Sequence, residues 1–112
     1  MKPSIRSKLE KLSERLEELS ALLGQPEVIN NQARFRALSK EYAELTPVVN
    51  NFKEYLRQLA DTASMQSMLK DEDPELRDMA KDELLRGEQR QTELEQELQR
   101  LLLPLASPEC FD

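Results

Sequence analysis

Between Phe35 and Leu69 the large apolar residues recur with a rhythm that only one regular backbone can use. Phe35, Leu38, Tyr42, Leu45, Val49, Phe52, Leu56, Leu59 and Ala63 follow one another in alternating steps of 3 and 4. On an α-helix, at about 3.6 residues per turn, such positions line one side, whereas on a strand they would scatter over both faces. A stripe of that length cannot face water along its whole run, so it predicts a helix laid against other helices.

The flanking segments supply those helices. Ile5, Leu9, Leu12, Leu16, Leu19 and Leu23 keep the same rhythm, with Lys8, Lys11, Glu14 and Glu18 on the other face. Pro3 suits a first turn and Ser4 is available as a cap. Gly24 is expected in the left-handed conformation that ends helices, and Pro26 blocks continuation. Residues 25–32 then form a connector, with room for one helical turn at Glu27 to Ile29, and Asn30 or Asn31 caps the central helix. Pro47 interrupts the pattern chemically but not in phase, since the rhythm runs on from Leu45 to Val49. A loop has no reason to keep that phase, so a bent, nearly continuous helix is expected, about 60 Å long from Asn31 to Lys70. Asp71, Glu72, Asp73 and Pro74 make the next break, with Asp73 as N-cap, Pro74 as first helical residue and Glu75 favourable in the first turn.

The last helix carries Leu76, Met79, Ala80 and Leu84, then Leu94, Leu98 and Leu101, before Pro104 stops it. Arg86 to Glu93 offers nothing apolar, and Gly87 costs the helix about 1 kcal/mol relative to alanine. That stretch is either exposed to solvent or closely approached by a neighbour. The expected fold is all-α: an antiparallel hairpin or bundle of three to four helices with a long, kinked central helix. The first and last helices pack along it at interaxial distances of about 8–10 Å. Phe35, Tyr42, Phe52 and Tyr55 are the expected large fillers, and Leu12, Leu38, Leu56 and Leu98 the expected sensitive positions. Thin coiled-coil-like seams bury little area, which makes stability modest and a homodimer through the seams an expected risk.

At 112 residues the chain is read as one domain, 1–104, followed by an unstructured tail, 105–112. Its 34% charged and 4% aromatic composition suits elongated helices better than a thick-cored globule. The net charge of −6 and the lack of any Lys or Arg run argue against direct nucleic-acid binding. No stretch approaches the roughly 20 apolar residues of a membrane span, and the N-terminus lacks the apolar core of a signal peptide. A cytoplasmic protein is expected. Cys110, the single cysteine, cannot form an internal disulfide and is read as a bystander.

Chemistry finds little to work with. The chain has no histidine, which removes the commonest general base and a common metal ligand together. Carboxylates do pair at helical spacing, at Glu10/Glu14, Glu14/Glu18, Asp78/Asp82 and Glu93/Glu97. Nothing apolar surrounds them to shift a pKa, so a solvated helix face is the expected reading over a metal site or an acid–base couple. Asp71 to Asp73 lacks the glycine and terminal glutamate of a calcium loop, and a helix cap is expected instead. No Gly-rich phosphate loop, paired-cysteine motif or nucleophile elbow occurs. Met65, Met68 and Met79 read as core at a helix contact rather than an adaptable groove. No catalytic, cofactor-binding or metal-binding residues are therefore assigned.

Five stretches, in order, carry a family likeness: MKPSI with KLEKL from Met1 to Leu12, LLGQPEVI from Leu22 to Ile29, RFRALSKEYAEL from Arg34 to Leu45, DPELRDMAKDEL from Asp73 to Leu84, and ELEQELQRLLLP from Glu93 to Pro104. Together they resemble the start of a bacterial peptide chain release factor, of the type that reads UAA and UAG. The resemblance implies an N-terminal helical domain that docks on the ribosome at the protein of the stalk base. The family's Pro-x-Thr tripeptide for codon reading and Gly-Gly-Gln loop for peptidyl-tRNA hydrolysis are both missing from this sequence. The resemblance thus leads to the expectation of no enzymatic activity in this chain alone, and the segment after Pro104 departs from the family's pattern. The acidic balance fits contact with a ribosomal protein better than with rRNA. The competing reading is a free-standing helical adaptor that self-associates and has no part in translation.

Overall fold

The computed structural model describes residues 1–103, and these form four α-helices with no strand among them. They are α1 (Pro3–Leu23), α2 (Pro26–Ile29), α3 (Gln32–Met68) and α4 (Pro74–Leu102). The all-α class with a long central helix is as expected. The chain divides into two compact units, Met1–Asn50 and Asn51–Asp112, and the division falls inside α3. Pro104, Cys110 and the expected unstructured tail 105–112 lie outside the described residues.

Helix ends follow local chemistry, with two corrections. Asn31 caps α3, its side-chain Oδ1 accepting from the Arg34 N–H at 3.2 Å. Asp73 caps α4, its Oδ1 accepting from the Glu75 N–H at 2.9 Å, with Pro74 in the first turn. Ser4 is not the cap of α1, because the helix already starts at Pro3, whose ring holds a helical φ, and Lys2 takes the cap position. Gly24 is not left-handed: its φ of −91° and ψ of −5° are right-handed. The last turn instead tightens, the Gly24 N–H reaching the Ala21 carbonyl at 3.2 Å and the Gln25 N–H the Leu22 carbonyl at 3.1 Å. With those carbonyls satisfied, no left-handed residue is needed. Helix α3 continues through Pro47 without a break, and next to it the Thr46 hydroxyl donates to the Tyr42 carbonyl at 2.7 Å.

In the Met1–Asn50 unit, Leu9 and Leu19 of α1, Val28 of α2, and Leu45, Val48 and Val49 of α3 are buried. Arg15 grips Glu41 with two hydrogen bonds, Nε to Oε2 at 2.6 Å and Nη2 to Oε1 at 2.8 Å. The two residues lie about equally far from the α2 connector, as antiparallel neighbours must. Phe35 and Tyr42, expected as core fillers, are 38% and 36% exposed. The cause is geometric. A strict 3–4 alternation has a period of about 3.5 against the helix's 3.6 and drifts by roughly 20° per heptad. Leu45, Val49 and Phe52, in the middle of the stripe, are buried, while Phe35 and Tyr42 at one end and Ala63 at the other have rotated out.

In the second unit, α4 returns antiparallel along the remainder of α3. The Tyr55 hydroxyl donates to Glu95 Oε1 at 3.0 Å, Arg90 Nη2 to Glu54 Oε1 at 2.6 Å, and Gln91 Nε2 to Thr62 Oγ1 at 2.8 Å. Phe52, Tyr55, Ala80, Gly87, Leu94 and Leu98 are buried. The polar stretch around Gly87 is a close approach rather than a solvated bulge. A Cβ built at Gly87 would lie 2.9 Å from Gln58 Nε2 and 3.2 Å from Thr62 Oγ1. Met79 corrects another expectation: it is 47% exposed, while Met65 and Met68 are half-buried. The turn at Asp71 to Asp73 is spent on capping. Asp71 Oδ1 accepts from the Asp73 N–H at 2.9 Å, and Arg77 Nη1 donates to the carbonyls of Asp71 at 2.9 Å and Glu72 at 3.2 Å.

Candidate interaction surfaces

The carboxylate pairs sit where their spacing puts them, on helix surfaces. Glu10, Glu14, Glu18, Asp78, Asp82 and Glu93 are exposed and Glu97 is half-buried. Several face arginines instead of each other: Glu10 meets Arg6 at 3.5 Å, Glu18 meets Arg15 at 2.8 Å, Glu93 meets Arg90 at 3.1 Å, and Glu97 is bonded to Arg100. Among the described residues, no group of three or more acidic, histidine or cysteine side chains is arranged to hold a metal ion.

One open cleft lies within the second unit, lined by Gln58, Asp61, Thr62, Met65 and Glu83. Its hydroxyl is already engaged, since Thr62 donates to the Gln58 carbonyl at 2.9 Å and accepts from Gln91. Glu83 is held by Arg86 at 3.0 Å. The cleft thus borders the polar layer that sets the α3–α4 spacing, and its hydroxyl donates to a backbone carbonyl rather than to the Asp61 or Glu83 carboxylate that a nucleophile would need as its base.

Arg15 and Glu41 perturb each other most visibly. The Arg15 hydrogen bonds hold the Glu41 carboxyl below the usual carboxylate range, and the same contact raises the Arg15 guanidinium further. Arg90 and Arg100 are likewise raised, by hydrogen bonds to Glu54 and Glu97 respectively. These are ion pairs between helices or along one helix, not poised acids or bases.

The surfaces differ more than the net charge suggests. Residues 1–50 hold eight Lys and Arg against seven Glu, whereas residues 51–112 hold eight against fifteen Asp and Glu. The acid excess therefore belongs entirely to the second unit. On α4, Glu75, Asp78 and Asp82 are exposed beside two exposed apolar residues, Met79 and Leu85. In the first unit, Phe35 and Tyr42 are exposed in the same turns of α3 as Arg34, Arg36 and Lys40, whose side chains have no ion-pair partner among the described residues. Reading the aromatics as core hid that second surface. A signal for it was present, because neither Arg34 nor Arg36 has an acid three or four positions away with which to pair. Among the described residues no helix is long and apolar enough to cross a membrane.

Compared with protein families, residues 12–109 match the model of the PCRF domain. The match spans all four helices apart from the first turns of α1, and it reaches into the segment beyond Pro104. The chain belongs to the peptide chain release factor family, whose work is translation termination.

Proposed function

We propose that this member of the peptide chain release factor family is a ribosome-docking domain, the N-terminal helical part of a factor of the bacterial type that reads UAA and UAG. Its partner is the protein at the base of the ribosomal stalk, and its compartment is the cytoplasm. The observation that carries the reading is the PCRF-domain match over residues 12–109. Two features of the chain support it. The second unit offers an acidic surface with exposed Met79 and Leu85, which suits a positively charged protein with an apolar contact. The sequence holds two glycines, Gly24 and Gly87, and therefore no Gly-Gly-Gln loop to position water on a peptidyl-tRNA ester.

Docking and hydrolysis are thus assigned to different parts of the release machinery, and this chain takes the first. Co-sedimentation with purified ribosomes, lost when the stalk-base protein is removed, is the expected result. A chain that stays in the supernatant while running as a tight dimer in light scattering would favour the self-associating adaptor instead. Stop-codon-dependent peptide release by these 112 residues alone would overturn the division of labour.

A further inference from the structure

We propose that the start of α3 in the Met1–Asn50 unit forms a contact site for single-stranded RNA, with Arg34, Arg36 and Lys40 on phosphates and Phe35 and Tyr42 stacking on bases. The inference deepens the ribosome-docking reading and rests on it only for the source of the RNA.

Three observations converge on these turns. The first concerns unspent charge. Arg6, Arg15, Arg86, Arg90 and Arg100 are each salt-bridged to a glutamate, and Arg77 donates to two backbone carbonyls. Arg34, Arg36 and Lys40 are exposed with no such partner among the described residues. Glu41, the nearest acid on the helix, is already held by Arg15 at 2.6 Å, and exposed Glu44 bounds the patch one turn further on. The second is aromatic exposure. Phe35 and Tyr42, seven residues apart and so on one side of the helix, are 38% and 36% exposed, although other aromatics, Phe52 and Tyr55, are buried. The third is where the acid lies. The net charge that argues against phosphate comes from residues 51–112, while residues 1–50 carry eight basic against seven acidic side chains.

Exposed rings interleaved with free guanidinium groups are the set that single strands use, by stacking and by charge-assisted hydrogen bonds to phosphate. An acidic protein helix fits less well. It needs a continuous row of apolar anchors, and Leu38, which would link the two rings, is already half-buried.

The test is fluorescence anisotropy with the full chain and a labelled RNA decamer of mixed sequence, at about 50 and about 200 mM KCl. Three phosphates neutralised on a single strand give a log–log salt slope of about −2, so wild type should weaken about 15-fold over that range. The triple variant Arg34→Ala/Arg36→Ala/Lys40→Ala should lose at least tenfold in affinity at low salt and flatten the slope. Tyr42→Ala should lose affinity several-fold with its slope unchanged, and Arg57→Ala, in the other unit, should bind as wild type does. Circular dichroism of each variant establishes that helicity is kept. No binding by wild type at about 100 μM, or a triple variant equal to wild type, overturns the proposal. So does a polyglutamate peptide that competes as well as unlabelled RNA, which would assign the patch to acidic protein segments. Ribosome sedimentation keeps the two readings apart: wild type that pellets with ribosomes but ignores the decamer sinks this inference and leaves docking standing.

Discussion

Replacing Gly87 by alanine sets two effects against each other. Alanine favours a helix interior over glycine by about 1 kcal/mol. The new methyl would also meet Gln58 Nε2 at 2.9 Å and Thr62 Oγ1 at 3.2 Å. The Gln58 amide is the far end of a flexible side chain and can swing away. The Thr62 hydroxyl cannot easily do so, because it is tied to the Gln58 carbonyl and to Gln91. Overpacking should win, and Gly87→Ala is expected to destabilise by about 1 kcal/mol net. In a Thr62→Ala background the same substitution should turn stabilising, a change of sign that urea denaturation of wild type, the two single variants and the double variant can read.

Arg15 and Glu41 make a second prediction at this scale. Glu41 has a folded pKa below its usual 4.5, so the pair's contribution is fully present above that value and is lost as pH falls through the lower, folded one. About a third of each side chain is exposed, at 34% and 38%, and solvent screening limits the contribution to about 0.5–1 kcal/mol. Glu41→Gln should therefore be less stable than wild type at pH 7 and converge with it in acid. A difference that grew on acidification would contradict the assignment.

Helix α3 runs through Pro47 at an energetic cost, since the ring removes a backbone donor and crowds the preceding turn. Pro47 is exposed, so alanine there restores a helical hydrogen bond without disturbing packing. Pro47→Ala should raise stability, by up to about 3 kcal/mol, seen as a higher denaturation midpoint at unchanged slope. Along each helix, the drift between a 3.5-residue pattern and a 3.6-residue turn decides which apolar side chains matter. Leu9→Ala and Leu98→Ala remove side chains that are 1% and 2% exposed and should cost about 2–5 kcal/mol. Leu12, Leu38 and Leu56 belong to the same stripes but are half-buried, and their truncation should cost less. Equal losses at both sets in chemical denaturation would mean that the stripes are packed uniformly after all.

Across the whole molecule, charge is divided rather than diluted. The second unit's fifteen acidic residues against eight basic ones make it the side that suits a basic protein, and the first unit is nearly neutral. If docking uses the α4 surface, Asp78→Asn/Asp82→Asn should weaken binding to the stalk-base protein. It should also reduce the salt dependence of that binding, as surface plasmon resonance at two ionic strengths would measure.

Much of this protein could be read before any coordinates. The α-helical class, the breaks near Gly24 and Asp71, the Asn31 and Asp73 caps and the passage through Pro47 are all local matters. They depend on the spacing of apolar side chains and on backbone groups satisfied within a turn or two, and the order of residues carries that information directly. Other features are settled between residues far apart in the chain, such as Arg15 with Glu41 at a separation of 26 and Tyr55 with Glu95 at 40. Helix pairing decided where the drifting stripe is covered, which leaves Phe35 and Tyr42 exposed, and it brought the side chains of Gln58 and Thr62 against Gly87. A periodic stripe marks which side of a helix is apolar, but only the neighbouring helix, by where it touches and where it stops, determines which of those side chains are covered.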